Sequence, residues 1–198
     1  RPTIPSMLEI PGGFFIQGDP THARPREKPV AFLETFLIDS HEVTNAEFTK
    51  QFPEHSFREG AEKHPVSHVT WQEAKTYCLL VGKRLPSEAE WEKAARGTDG
   101  RLYPWGDQVP NRKPHPYYSG LVKRTVGLNR QDVSFYGVRD MAGSIWEWTA
   151  DRVDGKTVTR GGLWNHHLDY EYSKTFERNL IDPDNRFIFL GFRCARSK

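Results

Sequence analysis

Along the first forty residues, short apolar runs are broken by turn residues. MLEIPGGFFIQGD (residues 7–19) predicts a strand, a Pro-Gly-Gly turn and a second short strand. After the polar stretch THARPREKP, read as a solvated loop, AFLETFLIDSHEV alternates as one further strand. The period then changes. Thr44 with Glu47, Thr70 with Glu73 and Ser87 with Glu90 each place a hydroxyl three positions before a glutamate. In that spacing the hydroxyl takes an orphan backbone N–H and the glutamate reaches back to the cap. The pattern predicts a short helix through Phe48, a second over WQEAKTYCLLV ended by Gly82, and a third over EAEWEKAAR ended by Gly97. Trp91 with Ala94 or Ala95 forms the apolar stripe of the third. Lys83 and Arg84 read as charges near the negative end of the second helix dipole. From Gly97 to Arg139 the chain is turn-rich, and a β-hairpin is predicted around Asp154-Gly155 with KTVTRGG as its second strand. No repeat or linker interrupts residues 1–198, so one domain is expected, with 1–6 as a disordered or tethering N-terminus.

Composition narrows the function classes. Apolar content is 36%, yet 13% of the 198 residues are aromatic, six of them tryptophan, and fourteen prolines and sixteen glycines are spread throughout. That mixture fits a loop-rich globular fold with aromatic packing rather than disorder. A net charge of +2 without a basic stripe gives no reason to expect nucleic acid. No apolar run is long enough to form a transmembrane helix. There is no signal sequence, and the start RPTIPSMLEI is read as the mature end of a processed or trimmed precursor. Cys78 and Cys194 are the only cysteines; counting alone leaves buried thiols and a long-range disulfide both open. His41, His64 and His68 are scattered and read as structural.

Candidate chemistry concentrates in GGLWNHHLDYEY (residues 161–172), which holds His166, His167, Asp169 and Glu171. Imidazole and carboxylate suit iron, zinc or manganese. In an extended segment His166 and His167 point to opposite faces, whereas His167, Asp169 and Glu171 share one. The competing reading is a polar surface cleft in which Trp164, Tyr170 and Tyr172 supply contact area.

The ordered blocks GGFFIQGD, IDSHEVTNAEF, PVSHVTWQEAKTYC, GKRLPSEAEWEKAARG, YPWGD, YGVRDMAGSIWEWTADR, TRGGLWN and LGFRCA resemble the formylglycine-generating enzyme (sulfatase-modifying-factor) family from about Met7 to Ala195. The resemblance implies a single α+β domain, related to C-type lectins, with little regular secondary structure. Family enzymes oxidise a sulfatase cysteine with oxygen and a copper ion held by two cysteines. Aligned on the Gly-Gly pair, those positions fall on His166 and Glu171, so neither copper nor formylglycine chemistry is expected. Members without the cysteine pair include binding and regulatory modules, among them the periplasmic protein TagR, which acts upstream of a membrane serine/threonine kinase in type VI secretion.

The resemblance therefore implies a periplasmic or secreted regulator of that type. Its protein partner would be an envelope protein such as a sensor kinase ectodomain, bound over Trp164, His166, His167, Asp169, Tyr170, Glu171 and Tyr172. The alternatives are a metal-assisted oxidoreductase or tautomerase using His166 and Glu171, and display of a carbohydrate or other small ligand. The family also implies structural calcium at Asp140, Gly143, Ile145 and Glu147, the middle two through carbonyls, against the simpler reading that Asp140 caps a turn and Glu147 pairs with an arginine such as Arg152. A second family calcium site has no recognisable counterpart here. Cys78 and Cys194 match family positions joined by a disulfide, which would mark an oxidising compartment. Loop 107–125, where the chain departs from the family, receives no role.

Overall fold

The computed structural model describes residues 6–19, 30–108, 125–162 and 173–198. Nine short strands and three helices are present among them: β1 (Met7–Ile10), β2 (Gly13–Ile16), β3 (Val30–Leu33), β4 (Phe36–Asp39), α1 (Asn45–Phe48), α2 (Trp71–Leu80), α3 (Glu88–Arg96), β5 (Trp146–Val153), β6 (Lys156–Arg160), β7 (Asn179–Ile181), β8 (Leu190–Gly191) and β9 (Ala195–Ser197). The expected α+β class with little regular structure is found. The predicted N-terminal tether falls almost wholly outside the described residues.

All three capping boxes form, with both reciprocal hydrogen bonds in each. Gly82 and Gly97 take φ of +71° and +72° at the helix ends, where a side chain would be strained. One strand expectation is corrected. AFLETFLIDSHEV is two strands, because the chain breaks at Glu34-Thr35, where the Thr35 hydroxyl accepts the Gly12 N–H at 2.9 Å. β3 pairs with β2 in a two-stranded sheet, whereas β4 is central in the order β1-β4-β9.

The third sheet has the order β7-β6-β5-β8, with β8 parallel to β5. Two apolar cores flank its elements. One gathers Phe48, Val69, Tyr77, Trp148, Leu190 and Phe192 under α1 and α2. The other gathers Ile10, Phe36, Ile38, Trp91, Val138 and Met141 against α3. Cys78 and Cys194 are bridged, with Cα atoms 5.7 Å apart across 116 residues. The bridge ties α2 to the segment entering β9. In the chain-entropy description, closing a loop of that length contributes about 4–5 kcal/mol.

Lys83 and Arg84 do not serve the α2 dipole. Lys83 pairs with Asp39 at 2.6 Å, and Arg84 grips Glu90 with two bonds of 2.7 Å. Tertiary partners offer each cation a full charge where the helix end offers a partial one.

Candidate functional site

The histidine- and carboxylate-rich segment Trp164, His166, His167, Asp169, Tyr170, Glu171 and Tyr172 lies outside the described residues, and so does nearly all of loop 107–125. Its anchors are visible. Gly161 and Gly162 leave β6 with positive φ, and a Cβ on Gly161 would sit 2.9 Å from the Ile145 carbonyl oxygen. Only glycine lets this strand end pass so close to the 140–147 loop. On the returning side, Thr175 is buried, donating its N–H to the Leu102 carbonyl and its hydroxyl to the Arg101 carbonyl.

Below those anchors lies the 140–147 loop. Asp140 has φ +58° and Gly143 +94°, so the chain turns sharply there. The Gly127 N–H donates to the Asp140 carboxylate, and the Gly143 N–H to the Gly161 carbonyl at 2.8 Å. Glu147 is fully buried. It does not pair with Arg152, which donates to the Gly155 carbonyl at 2.8 Å. Instead Arg193 Nε and Nη2 each reach a Glu147 oxygen at 2.7 Å, while Trp91 Nε1 donates to the same carboxylate at 2.9 Å. Burial alone would push the guanidinium down, but Glu147 beside it holds Arg193 above its ordinary value.

Three further carboxylates surround this pair. Glu42, between β4 and α1, is fully buried, and neither of its side-chain oxygens has a hydrogen-bond partner; its nearest salt-bridge contact is Arg193 at 4.0 Å. Burial, then the charge of Asp140, raises its carboxyl well above the usual range, with Glu147 adding to the effect and Arg193 and the nearby Ser144 hydroxyl opposing it. Asp132 accepts the Ala142 N–H at 2.8 Å through Oδ2, leaving Oδ1 buried without a partner. Burial and the nearby Asp140 charge push it up to about 7. Among the described residues, Glu42, Asp132, Asp140 and Glu147 thus gather about the one guanidinium of Arg193, a surplus of carboxyl groups over cations.

This surplus tests whether calcium fits. Among the described residues no three Asp, Glu, His or Cys side chains form a metal cage by themselves. Calcium, however, takes six to eight oxygens, with carbonyls, hydroxyls and water completing the set. Buried, unpartnered carboxylate oxygens beside a loop of backbone carbonyls are chemically suited to a hard divalent cation. Glu147 is already neutralised by Arg193, so among the described residues the carboxyl oxygens of this group left without a partner lie on Glu42 and Asp132. The sequence reading missed Glu42, because it placed SHEV at the end of a predicted strand, where a glutamate carries no sign of being buried.

A second surface also escaped the sequence reading. Two adjoining clefts of about 910 and 800 Å3 share His68 and Arg186. His68 is exposed with φ +61°, and its carbonyl accepts from Arg186 at 3.0 Å. Phe187 and Ile188 line the smaller cleft beside Trp146 and are 47% and 44% exposed.

The chain matches the Sulfatase-modifying factor enzyme 1-like domain (FGE-sulfatase) family over residues 1–198. It is 28% identical to a formylglycine-generating enzyme of Bos taurus, over 98% of this chain and 76% of that protein. With the inactive C-alpha-formylglycine-generating enzyme 2 of the same species identity is 29%, covering 96% and 87%. The serine/threonine-protein kinase Pkn1 of Chlamydia trachomatis is 34% identical over 99% of this chain but only 39% of that protein. Among solved structures, Treponema denticola variable protein 1 superposes with a TM-score of 0.78 at 22% identity, covering 97% and 95%.

Proposed function

Because the chain belongs to the sulfatase-modifying factor enzyme 1-like domain family, we propose that it is a member without the family's oxidase chemistry, working as an extracytoplasmic protein-binding regulator. One observation carries the reading. The chain has two cysteines, and Cys78 and Cys194 are bound to each other. No thiol remains for a copper site, whose cuprous ion needs soft sulfur ligands. A relative named as inactive supports a family scaffold that persists without the reaction.

The contact surface in this proposal is the 164–172 segment, with the exposed Phe187 and Ile188 as a further apolar patch. The partner is an envelope protein such as a sensor kinase ectodomain, in the manner of TagR and type VI secretion. Likeness to a kinase-named protein supports a link to kinase pathways. The disulfide supports a periplasmic or secreted location, and among the described residues no helix is long and apolar enough to cross a membrane. Calcium at Asp140, Gly143, Ile145 and Glu147 belongs to the same proposal, supplying positive charge that holds the loop against the Gly161 end of β6.

Capture of partners from an envelope fraction tests it. Wild-type protein is expected to retain a specific partner that the combined Trp164→Ala, His167→Ala, Asp169→Ala and Tyr170→Ala variant loses. Stoichiometric copper with oxygen consumption would overturn the reading. Activity lost on His166→Ala and Glu171→Gln, with a transition metal bound, would turn it toward an oxidoreductase or tautomerase.

A further inference from the structure

We propose that Glu42, outside the 140–147 loop, is a ligand of the divalent cation held at that loop. The inference rests on the calcium reading above and adds a residue to it.

Glu42 is fully buried and both of its carboxylate oxygens lack a hydrogen-bond partner. An unpartnered carboxylate in the interior is among the costliest groups a fold can retain. Its surroundings offer only partial relief, from the nearby Ser144 hydroxyl. Arg193 comes no closer than 4.0 Å and spends its Nε and Nη2 on Glu147 at 2.7 Å, with further bonds to the Arg139, Asp140 and Asp39 carbonyls. Asp140 and Glu147 face Glu42 as like charges. The backbone fixes the carboxylate in place. The Arg139 N–H donates to the Ser40 carbonyl at 2.8 Å, and the Val43 N–H to the Phe192 carbonyl at 2.9 Å. Residues 40–43 are therefore clamped between the start of the calcium loop and the strand segment carrying Arg193.

A hard cation resolves this arrangement. It neutralises the surplus charge that one guanidinium leaves, and it accepts oxygens that no N–H reaches. Asp132, with its own unpartnered Oδ1 and its coupling to Asp140, contributes to the same negative field.

The test is calcium titration by calorimetry, with melting curves, on the full chain freed of metal by chelator. Wild type, Glu42→Gln and, as a loop control, Asp140→Asn are compared. Expected for Glu42→Gln is calcium affinity at least tenfold weaker and loss of most of the calcium-induced rise in Tm. In chelator its Tm should match or exceed wild type, because removing an orphaned charge does no harm to the metal-free fold. Glu42→Gln binding calcium as wild type does, while Asp140→Asn does not, overturns the role of Glu42 and leaves the loop reading standing. Wild type that takes up no calcium overturns both. A Glu42→Gln protein destabilised in chelator while its calcium affinity is unchanged assigns Glu42 a purely structural role and also overturns the inference.

Discussion

Two buried charge clusters lie on either side of Trp91, and they are completed in different ways. On α3, Glu92 and Arg96 pair at 2.6 Å with no exposure, Arg160 bridges Glu92 and Glu88, and Arg178 reaches Glu88 from outside. Both Glu92 oxygens are filled, Oε1 by Arg96 and the Gly18 N–H and Oε2 by Arg160. Three guanidiniums answer two carboxylates. Around Arg193 the ratio among the described residues is reversed, with one guanidinium among four carboxyl groups and unpartnered oxygens on Glu42 and Asp132. In the first cluster every carboxylate oxygen is paired and only Arg160 Nε is left without a partner, so it reads as architecture. The second gathers more carboxyl groups than cations among the described residues, and that imbalance is what sets it apart from the first.

The largest expected effect comes from the bridge beside the incomplete cluster. Cys78→Ala with Cys194→Ala should cost about 4–5 kcal/mol in urea unfolding, since closure of a loop over 100 residues long is lost. Next, Arg193→Met should cost about 3–5 kcal/mol by leaving Glu147 buried and unpaired. Arg160→Met should cost less, about 1–3 kcal/mol, because Arg96 still holds Glu92 and Arg178 still holds Glu88. Equal losses at the two arginines, read from the same denaturant curves, would erase the contrast between the clusters.

The smallest effects lie away from both. Thr70→Ala should cost about 1 kcal/mol through its helix cap. Burial would raise the Glu73 carboxyl, but bonds from Arg186 and Thr70 outweigh it and hold the group below its ordinary 4.5. A depressed carboxylate stabilises above its unfolded value and loses that contribution as pH falls through the folded one. Wild type should therefore lose Tm more steeply than Glu73→Gln on acidification below 4.5.

Much of the fold was legible in sequence because it is written locally. Each capping box uses residues three apart, and the stops of α2 and α3 use glycines whose φ no neighbour needs to impose. The pairing of Cys78 with Cys194 was legible only through family resemblance, since counting two cysteines cannot choose between thiols and a bridge. The exposed ridge at Phe187 and Ile188 was illegible for a related reason: an apolar run in sequence carries no sign of whether a neighbour covers it.

α3 shows where local reading stops. Its apolar stripe at Trp91, Ala94 and Ala95 is buried as predicted, yet Glu92, Lys93 and Arg96 on its polar side are buried as well. Lys93 donates to the Pro11 and Gly13 carbonyls, and Arg96 to those of Gly18 and Gly100. Those partners are distant in sequence or follow only once the chain has folded back.

By itself, then, the sequence determined the helices, their capped starts and the glycine turns, since each depends on neighbours within a few residues. Only the tertiary structure decided that Glu147 would face Arg193 rather than Arg152, and that Glu42 would be enclosed without a well-formed hydrogen bond. Burial strengthens a charge's demand for a partner, and which charges are buried together is a property of the packed chain.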